Sequence, residues 1–319
     1  MEQKKTILIT GAAGNLGGLL AEHLLSEEVN LRLLIHKKGV APELAIQPNV
    51  RIFQADLARK ESLYEALSGV DVVIHFAGVL FKAKPEKFLP ITNTGYFKNL
   101  SEAASESGVK RIILVSFPHV EGETTPEHPA TGRLDGHPKS VHARTRLEEE
   151  INLFNQHEPQ GIETVSLRIG MVYGKGILMI DAMRRASRFR VLGIWKKPTC
   201  IHLISTIDFL KATRNAVLCD NISGIYHLGD EGINTLQEFL DAACIHWNTH
   251  RPWRMPVWMI FTAARLCELW SAAFYTRSPL TVDFIRIGMA SYYGNTSRMR
   301  RELLPELTYP TFREGIDTL

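Results

Sequence analysis

Three glycines spaced three residues apart are the residues whose chemistry the sequence indicates most directly. Gly11, Gly14 and Gly17 lie in the segment Thr10–Gly17, after the apolar run Ile7–Ile9 and at the start of a segment with helical periodicity. In such a corner the first glycine permits a tight turn, the second lets backbone approach a diphosphate, and the third lets helix and strand pack closely. Backbone N–H groups at the positive end of the helix dipole then bind the anion. The spacing therefore predicts a nucleotide site formed by Gly11, Ala13, Gly14, Asn15, Leu16 and Gly17.

The residues after the second apolar run indicate which dinucleotide is bound. Leu31–Ile35 is followed by His36, Lys37 and Lys38, with no carboxylate. Enzymes that use NAD place Asp or Glu here to bind the ribose hydroxyls, whereas basic side chains attract the 2′-phosphate of NADP. We therefore expect NADP(H) rather than NAD(H), contacted by His36 and Lys37; the alternative is that both lysines are solvated loop residues. Asp56, after the next apolar run, is expected to accept from the adenine amino group or, alternatively, to cap a helix.

Short apolar runs alternate with helical segments through the first two thirds of the chain. Strands are predicted at Ile7–Ile9, Leu31–Ile35, Val50–Gln54, Val70–Ile74, Arg111–Val115, Glu163–Arg168, Ile201–Ile204 and Ile225–Leu228. Helices are predicted at Leu63–Leu67, Thr92–Ser107 and Val141–Phe154. Continuous apolar strands separated by helices indicate an α/β, doubly wound Rossmann fold with a parallel sheet covered on both faces. We expect a nucleotide-binding domain over residues 1–176 plus about 201–230, and a small, mainly helical substrate lobe over 177–200 plus 231–319.

Composition excludes several classes of protein. The 319 residues include 37 Lys and Arg against 34 Asp and Glu, and a net charge of +3 is too small to indicate nucleic-acid binding. The four cysteines form no CxxC pair, so we expect reduced core thiols and no metal site. The segment Met1–Lys5 leads directly into a strand without the apolar stretch of a signal peptide, which predicts a cytoplasmic protein.

Taken together, these residues resemble the extended and atypical short-chain dehydrogenases/reductases, the NAD-dependent epimerase/dehydratase group. The motifs that carry the resemblance span most of the chain: the glycine segment, Asp56-Leu57, His75-Phe76-Ala77-Gly78, Asn93-Thr94-Gly95 and Leu167 to Gly174. The resemblance implies a Rossmann domain with a small C-terminal substrate domain and NAD(P) bound between them. It also implies further cofactor contacts, at Leu57, Phe76, Ala77, Gly78, Asn93 and Gly170. The implied function is an oxidoreductase or epimerase-type enzyme acting on a small hydroxyl or carbonyl substrate.

The chain departs from this family at the catalytic residues. The family's set is a Ser or Thr after the fifth strand, followed by a Tyr and a Lys four residues apart. Here Phe117 occupies the Ser/Thr position, with Ser116 one residue earlier, and His142 and Arg146 occupy the positions of Tyr and Lys. The usual phenol is missing in any local register, because no tyrosine occurs between residues 97 and 172.

Two interpretations of the altered set stay open. In the first, His142 transfers the proton, since an imidazole with a pKa of about 6.5 suits acid–base chemistry near neutrality. Arg146, one helical turn later on the same side, would then hold the ribose, and Ser116 or His119 would orient a carbonyl. In the second, the site no longer catalyses hydride transfer. The chain would then be an NADP(H)-binding sensor or scaffold, or a redox-neutral lyase or cyclase that uses the same fold.

Two further segments of the sequence concern partners. Met255–Phe274 is apolar except for Arg265 and Glu268, which predicts a buried or substrate-lining helix rather than a transmembrane span; peripheral membrane contact is the lesser alternative. The basic run from Arg184 to Arg190 is expected to be a solvated helix face. The predicted partner is a small-molecule substrate, and a homodimer stays open.

Overall fold

The computed structural model of the chain describes residues 4–78, 82–274, 276, 278 and 280–319. The strands of this part are β1 Thr6–Thr10, β2 Asn30–Ile35, β3 Val50–Gln54, β4 Val72–His75, β5 Arg111–Ser116, β6 Glu163–Ile169, β7 Met171–Tyr173, β8 Gly193–Trp195, β9 Cys200–Ile201, β10 Leu203–Ser205, β11 Gly224–Leu228, β12 Asn234–Thr235 and β13 Trp253–Met255. The helices are α1 Asn15–His23, α2 Pro42–Ala45, α3 Tyr64–Leu67, α4 Tyr96–Glu106, α5 Val141–His157, α6 Leu178–Arg188, α7 Thr206–Leu218, α8 Leu236–His246, α9 Val257–Phe274, α10 Val282–Met289, α11 Ser297–Glu302 and α12 Phe312–Gly315.

A seven-stranded parallel sheet with the order β11-β6-β5-β4-β1-β2-β3 forms the centre of the molecule. The order reverses between β1 and β4, so the chain leaves these two neighbouring strands in opposite directions. A crevice opens at their carboxyl ends, which is where open α/β sheets bind ligands. The doubly wound Rossmann fold predicted from the sequence is therefore confirmed.

Side chains from successive residues of each central strand enter two separate cores. Ile7 and Ile9 of β1 pack with Leu20 of α1 and Phe209 of α7. Leu8, between them, packs in the other core with residues of α3 and α4. This alternation follows from the two-residue period of a strand, and it explains why buried parallel strands read as continuous apolar runs.

The sheet strands lie within two residues of their predicted bounds, but the late segment Ile201–Ile204 is not one strand. Cys200–Ile201 pairs antiparallel with Asn234–Thr235, whereas Leu203–Ser205 pairs in parallel with Met171–Tyr173. The segment changes partners at His202, so one apolar run belongs to two small sheets. The predicted helix from Thr92 starts as a π-helical turn, Pro90–Gly95, that continues into α4.

Two expectations about burial are wrong. All four cysteines are free, but only Cys244 is buried, while Cys219 is exposed. The apolar segment predicted as a buried helix forms α9, and only Ile260 and Ala264 of its 18 residues are buried. Among the described residues, α9 is also the one helix long and apolar enough to cross a membrane. Only 11% of it is buried.

Candidate functional site

The glycine corner between β1 and α1 has the close backbone approaches that the sequence predicts. Gly11 has φ +72°, and a Cβ there would lie 2.8 Å from the backbone nitrogen of Ala77. A Cβ on Gly17 would lie 2.6 Å from the carbonyl oxygen of Gly11, and one on Gly14 would lie 2.9 Å from the same oxygen. Only glycine fits these positions, because any side chain would push α1 away from the sheet or fill the corner.

The N-terminus of α1 keeps donors for an anion. Its N-cap residue, Gly14, has no side chain with which to cap the helix. The first N–H groups of a helix lack intrahelical acceptors, so those of Asn15, Leu16 and Gly17 are available to a diphosphate. The Asn15 side chain instead bridges to the segment after β7: it donates to Gly176 O at 2.7 Å and accepts from Leu178 N at 3.0 Å.

The loop after β2 presents its basic residues to solvent. His36, Lys37 and Lys38 are all exposed, as a 2′-phosphate site requires. Asp56, two residues after β3, accepts from Ala58 N at 3.0 Å in a local turn and does not cap a helix, the alternative that the sequence left open. Leu57 beside it is half-buried.

Arg146 lies against the carboxyl end of β4. One guanidinium nitrogen, Nη2, donates to Ala77 O at 3.4 Å, and a Cβ on Gly78 would lie 2.4 Å from the same nitrogen. The other, Nη1, forms an ion pair with Glu149 at 2.7 Å, and both side chains are buried. Since Ala77 also packs against Gly11, Arg146 reaches the wall of the crevice that the glycine corner forms. Burial raises the pKa of Glu149 to about 7, with Arg146 opposing the shift.

His142 is buried one turn before Arg146 and is held by aromatic contacts. Its ring packs edge-on against the ring of Phe117, with 4.7 Å between the ring centroids. The centroids of Phe117 and His119 lie 5.0 Å apart. Burial, with the charges of Arg146 and His119 adding to it, lowers the pKa of His142 to about 3. Its Nδ1 has no hydrogen-bond partner within the described part of the chain. The imidazole is therefore neutral at physiological pH, and its buried Nδ1 is left without a hydrogen bond among these residues.

Comparisons with known proteins agree with this geometry. A family model described as NAD(P)H-binding matches residues 11–152. The uronate dehydrogenase of Pseudomonas putida is 36% identical over 169 residues, 51% of this chain and 60% of that protein. The UDP-N-acetyl-alpha-D-glucosaminuronate decarboxylase of Bacillus cytotoxicus is 28% identical over 77% of this chain and 81% of its own length. The chain thus covers about 60% of the length of the uronate dehydrogenase relatives.

Solved structures share the whole fold. MoeE5 in complex with UDP-glucuronic acid and NAD superposes with a TM-score of 0.75 over 98% of this chain and 97% of its own, at 18% identity. The UDP-glucose 4-epimerase of Thermotoga maritima, with UDP-glucose, gives 0.76 over 98% and 96% at 16% identity. These solved structures and this chain have the same fold. The resemblance drawn from the motifs is confirmed. The chain departs from the family's Ser-Tyr-Lys set in its sequence, at Phe117, His142 and Arg146.

Ser116 does not occupy the substrate-orienting place that the sequence assigned to it. Its hydroxyl donates to Glu150, which also accepts from Ser166 at 2.9 Å and forms an ion pair with Arg168 at 2.7 Å. Arg168 pairs in turn with Glu121, and all these groups are buried. Buried charges require such partners, so the hydroxyl belongs to an ionic network inside the protein and is not free for a substrate.

Two further residues assigned to the cofactor lie inside the protein. Asn93 is fully buried and donates to Thr145 at 3.0 Å, which ties the π-helical turn to α5. A Cβ on Gly170 would lie 2.5 Å from His202 O and 3.0 Å from Leu228 O. Gly170 therefore permits a close crossing of backbones at the end of β6, and its surroundings are protein atoms. Phe76, in contrast, is half-buried just after the carboxyl end of β4.

The site also includes Glu149, Glu150 and His119. The sequence indicated no role for the two glutamates, and it gave His119 only as an alternative to Ser116. Both glutamates follow Arg146 by three and four residues, the spacing of one helical face, so periodicity was the available signal. His119 is half-buried, and its Nε2 lies 3.0 Å from Ala290 O just beyond α10. Burial lowers the pKa of His119 to about 4, which makes it a second neutral imidazole beside Phe117. The described residues contain no cluster of His, Cys, Asp or Glu that could hold a metal ion.

Proposed function

We propose that this chain is an NADP(H)-dependent oxidoreductase or epimerase-type enzyme that acts on a hydroxyl or carbonyl group of a sugar-like substrate. The observation that carries the proposal is the crevice in which the glycine corner, the end of β4 and Arg146 are in contact. The names of its relatives, a uronate dehydrogenase and a UDP-sugar decarboxylase, support the sugar-like class of substrate. NADP is favoured over NAD by Lys37 and Lys38, although two solved structures with this fold, MoeE5 and WbmG of Bordetella bronchiseptica, are complexes with NAD.

When bound, the dinucleotide supplies a hydride donor or acceptor. The backbone N–H groups at the start of α1 hold its diphosphate, and the exposed Lys37 attracts the extra phosphate. Arg146 is a fixed cation at the end of β4 that donates to ribose hydroxyls, but it cannot exchange a proton as the family's lysine does. Its ion pair with Glu149 keeps the guanidinium in one orientation.

His142 takes the role of the missing tyrosine in this proposal. In the direction of oxidation the neutral imidazole would accept the proton of a substrate hydroxyl and pass it to solvent. In the direction of reduction its N–H would donate a hydrogen bond to the carbonyl oxygen, and solvent would supply the proton of the new hydroxyl. With a pKa lowered to about 3 it does not begin a cycle as imidazolium near neutral pH. We therefore expect the activity to persist at mildly acidic pH without an acid limb near 6.5.

The test is turnover of NADPH and NADP⁺ with a panel of sugar aldehydes, keto sugars and uronic acids. His142→Ala should lower kcat by about 100-fold or more, the range for loss of a general acid or base. His137→Ala, in the exposed loop before α5, is the matched control and should keep full activity. Equal rates for His142→Ala and the unmodified protein would remove His142 from the mechanism.

A second candidate function is an NADP(H)-binding sensor or scaffold without hydride transfer. The specific observation in its favour is that Ser116 and Arg146 are both engaged in buried ion-pair networks. This function predicts cofactor binding with no turnover on any substrate of the panel, together with a change of oligomeric state or partner binding when cofactor is added. The same panel thus distinguishes the two functions.

A further inference from the structure

Helix α9 exposes large apolar side chains along most of its length. Five of them are between 58% and 68% exposed: Trp258, Leu266, Leu269, Trp270 and Phe274. At 100° per residue these five occupy an arc of about 160°, and the buried Ile260 and Ala264 lie outside it. An exposed apolar face of this extent marks an interaction surface rather than ordinary solvated surface.

A second exposed apolar segment is joined to the start of this helix. Phe189, Val191 and Trp253 are 76%, 72% and 64% exposed. Trp253 N donates to Leu192 O at 2.9 Å, and its indole Nε1 donates to Arg190 O at 2.9 Å. Because β13 ends two residues before α9 begins, this segment adjoins the start of the helix, and we call the two together the α9 face.

Cations predominate around the α9 face, although Glu268 lies in α9 and Asp241 pairs with Arg254 at 2.6 Å. Residues 182–200 contain six Lys and Arg, residues 242–267 contain three, and neither stretch contains Asp or Glu. The two stretches are held together by the parallel pairing of β8 with β13 and by a hydrogen bond of 2.7 Å from Arg190 Nε to His250 Nε2. An apolar face with a cationic border complements a surface that is apolar inside and anionic outside.

Both ends of α9 are attached to the folded lobe. At its start β13 pairs with β8, and near its end Glu268 accepts from Val282 N at 2.9 Å at the beginning of α10. A spanning orientation would break these contacts and place Arg265 and Glu268 in hydrocarbon. The helix can instead lie flat, with its tryptophans at the level of the lipid headgroups, where indole rings concentrate.

We propose that the α9 face docks this protein on the surface of an anionic lipid bilayer. The apolar side chains enter the boundary between headgroups and acyl chains, and the arginines and lysines of residues 182–200 contact the lipid phosphates. The proposal does not depend on the enzymatic activity proposed above, and its test needs no substrate.

The test is co-sedimentation of the full chain with vesicles of phosphatidylcholine alone or with 30% phosphatidylglycerol. We expect binding to the anionic vesicles that weakens at high salt. Leu266→Glu with Leu269→Glu should reduce the partition coefficient by more than tenfold. The matched control, Ile46→Glu with Ile233→Glu, changes two residues that are exposed elsewhere (79% and 67%) and should bind as the unmodified protein does.

The basic residues have a separate variant. Arg185→Ser with Arg188→Ser should weaken binding to anionic vesicles about 25-fold, or about fivefold per cation, and leave the weak binding to neutral vesicles unchanged. Absence of vesicle binding would overturn the proposal. So would a concentration-dependent dimer in sedimentation velocity that Leu266→Glu with Leu269→Glu abolishes in the absence of lipid, because a second copy would then cover the face. Thermal melting of each variant verifies that it folds.

Discussion

Replacement of His142 by Asn should make the protein less sensitive to acid. The folded protein holds the pKa of this imidazole at about 3, mainly by burial, whereas the unfolded chain restores it to about 6.5. Above pH 6.5 both states are neutral at this position, and it makes no contribution to the pH dependence. Below pH 6.5 the unfolded state binds a proton that the folded state does not, so the free energy of unfolding falls as the pH falls.

The size of the effect follows from the two pKa values. Between pH 7.5 and pH 5.0 the unfolded histidine takes up nearly a full proton, while the folded one stays neutral. At about 1.4 kcal/mol for each pH unit below 6.5, His142 costs about 2 kcal/mol over this interval. The imidazole is 4% exposed, so solvent screening does not reduce this figure.

Urea unfolding at pH 7.5 and pH 5.0 measures the difference directly. The unmodified protein should lose about 2 kcal/mol more of its unfolding free energy between the two pH values than His142→Asn does. Any constant cost of the substitution cancels in this comparison. His137→Asn, which removes an exposed histidine, should behave as the unmodified protein. Equal losses in all three proteins would refute the buried, neutral state of His142.

Three other substitutions test the cofactor crevice. Gly17→Val should abolish NADP(H) binding in calorimetry, because its Cβ would lie 2.6 Å from Gly11 O; a normal circular dichroism spectrum with retained affinity would contradict this. Lys37→Ala should weaken NADP binding about tenfold and leave NAD binding unchanged, and an equal loss for both cofactors would exclude contact with the 2′-phosphate. Asn15→Ala should lower the unfolding free energy by about 1 kcal/mol, since it removes the side-chain cap of Leu178 N; an unchanged urea midpoint would show that this bridge contributes nothing.

The sequence predicts those parts of the fold that local patterns determine. The continuous apolar runs predict the parallel strands, because each strand is buried on both faces. The glycine spacing predicts the corner, since the roles of Gly11 and Gly17 follow from backbone geometry alone. The helical spacing of His142 and Arg146 predicts that they share a face. Arg146 contacts Ala77 after β4, and His142 contacts Phe117 after the neighbouring β5.

Contacts between distant segments could not be predicted in the same way. Ser116 is the last residue of β5, one position before the family's Ser or Thr, and its hydroxyl is directed by Glu150 and by the buried Arg168 beside it. No local pattern reveals that these three residues meet. The burial of α9 was predicted wrongly for a different reason. Its composition is that of a buried helix, but in the described part of the chain it packs mainly against β8 and α10 and is otherwise largely exposed.

Isothermal titration calorimetry of the full chain with NADPH and NADH tests most directly whether the glycine corner binds a dinucleotide. We expect saturable 1:1 binding that is tighter for NADPH, and we expect Gly17→Val to abolish it while the protein stays folded. An absence of heat with both dinucleotides, or equal affinity of the Gly17→Val variant, would contradict it.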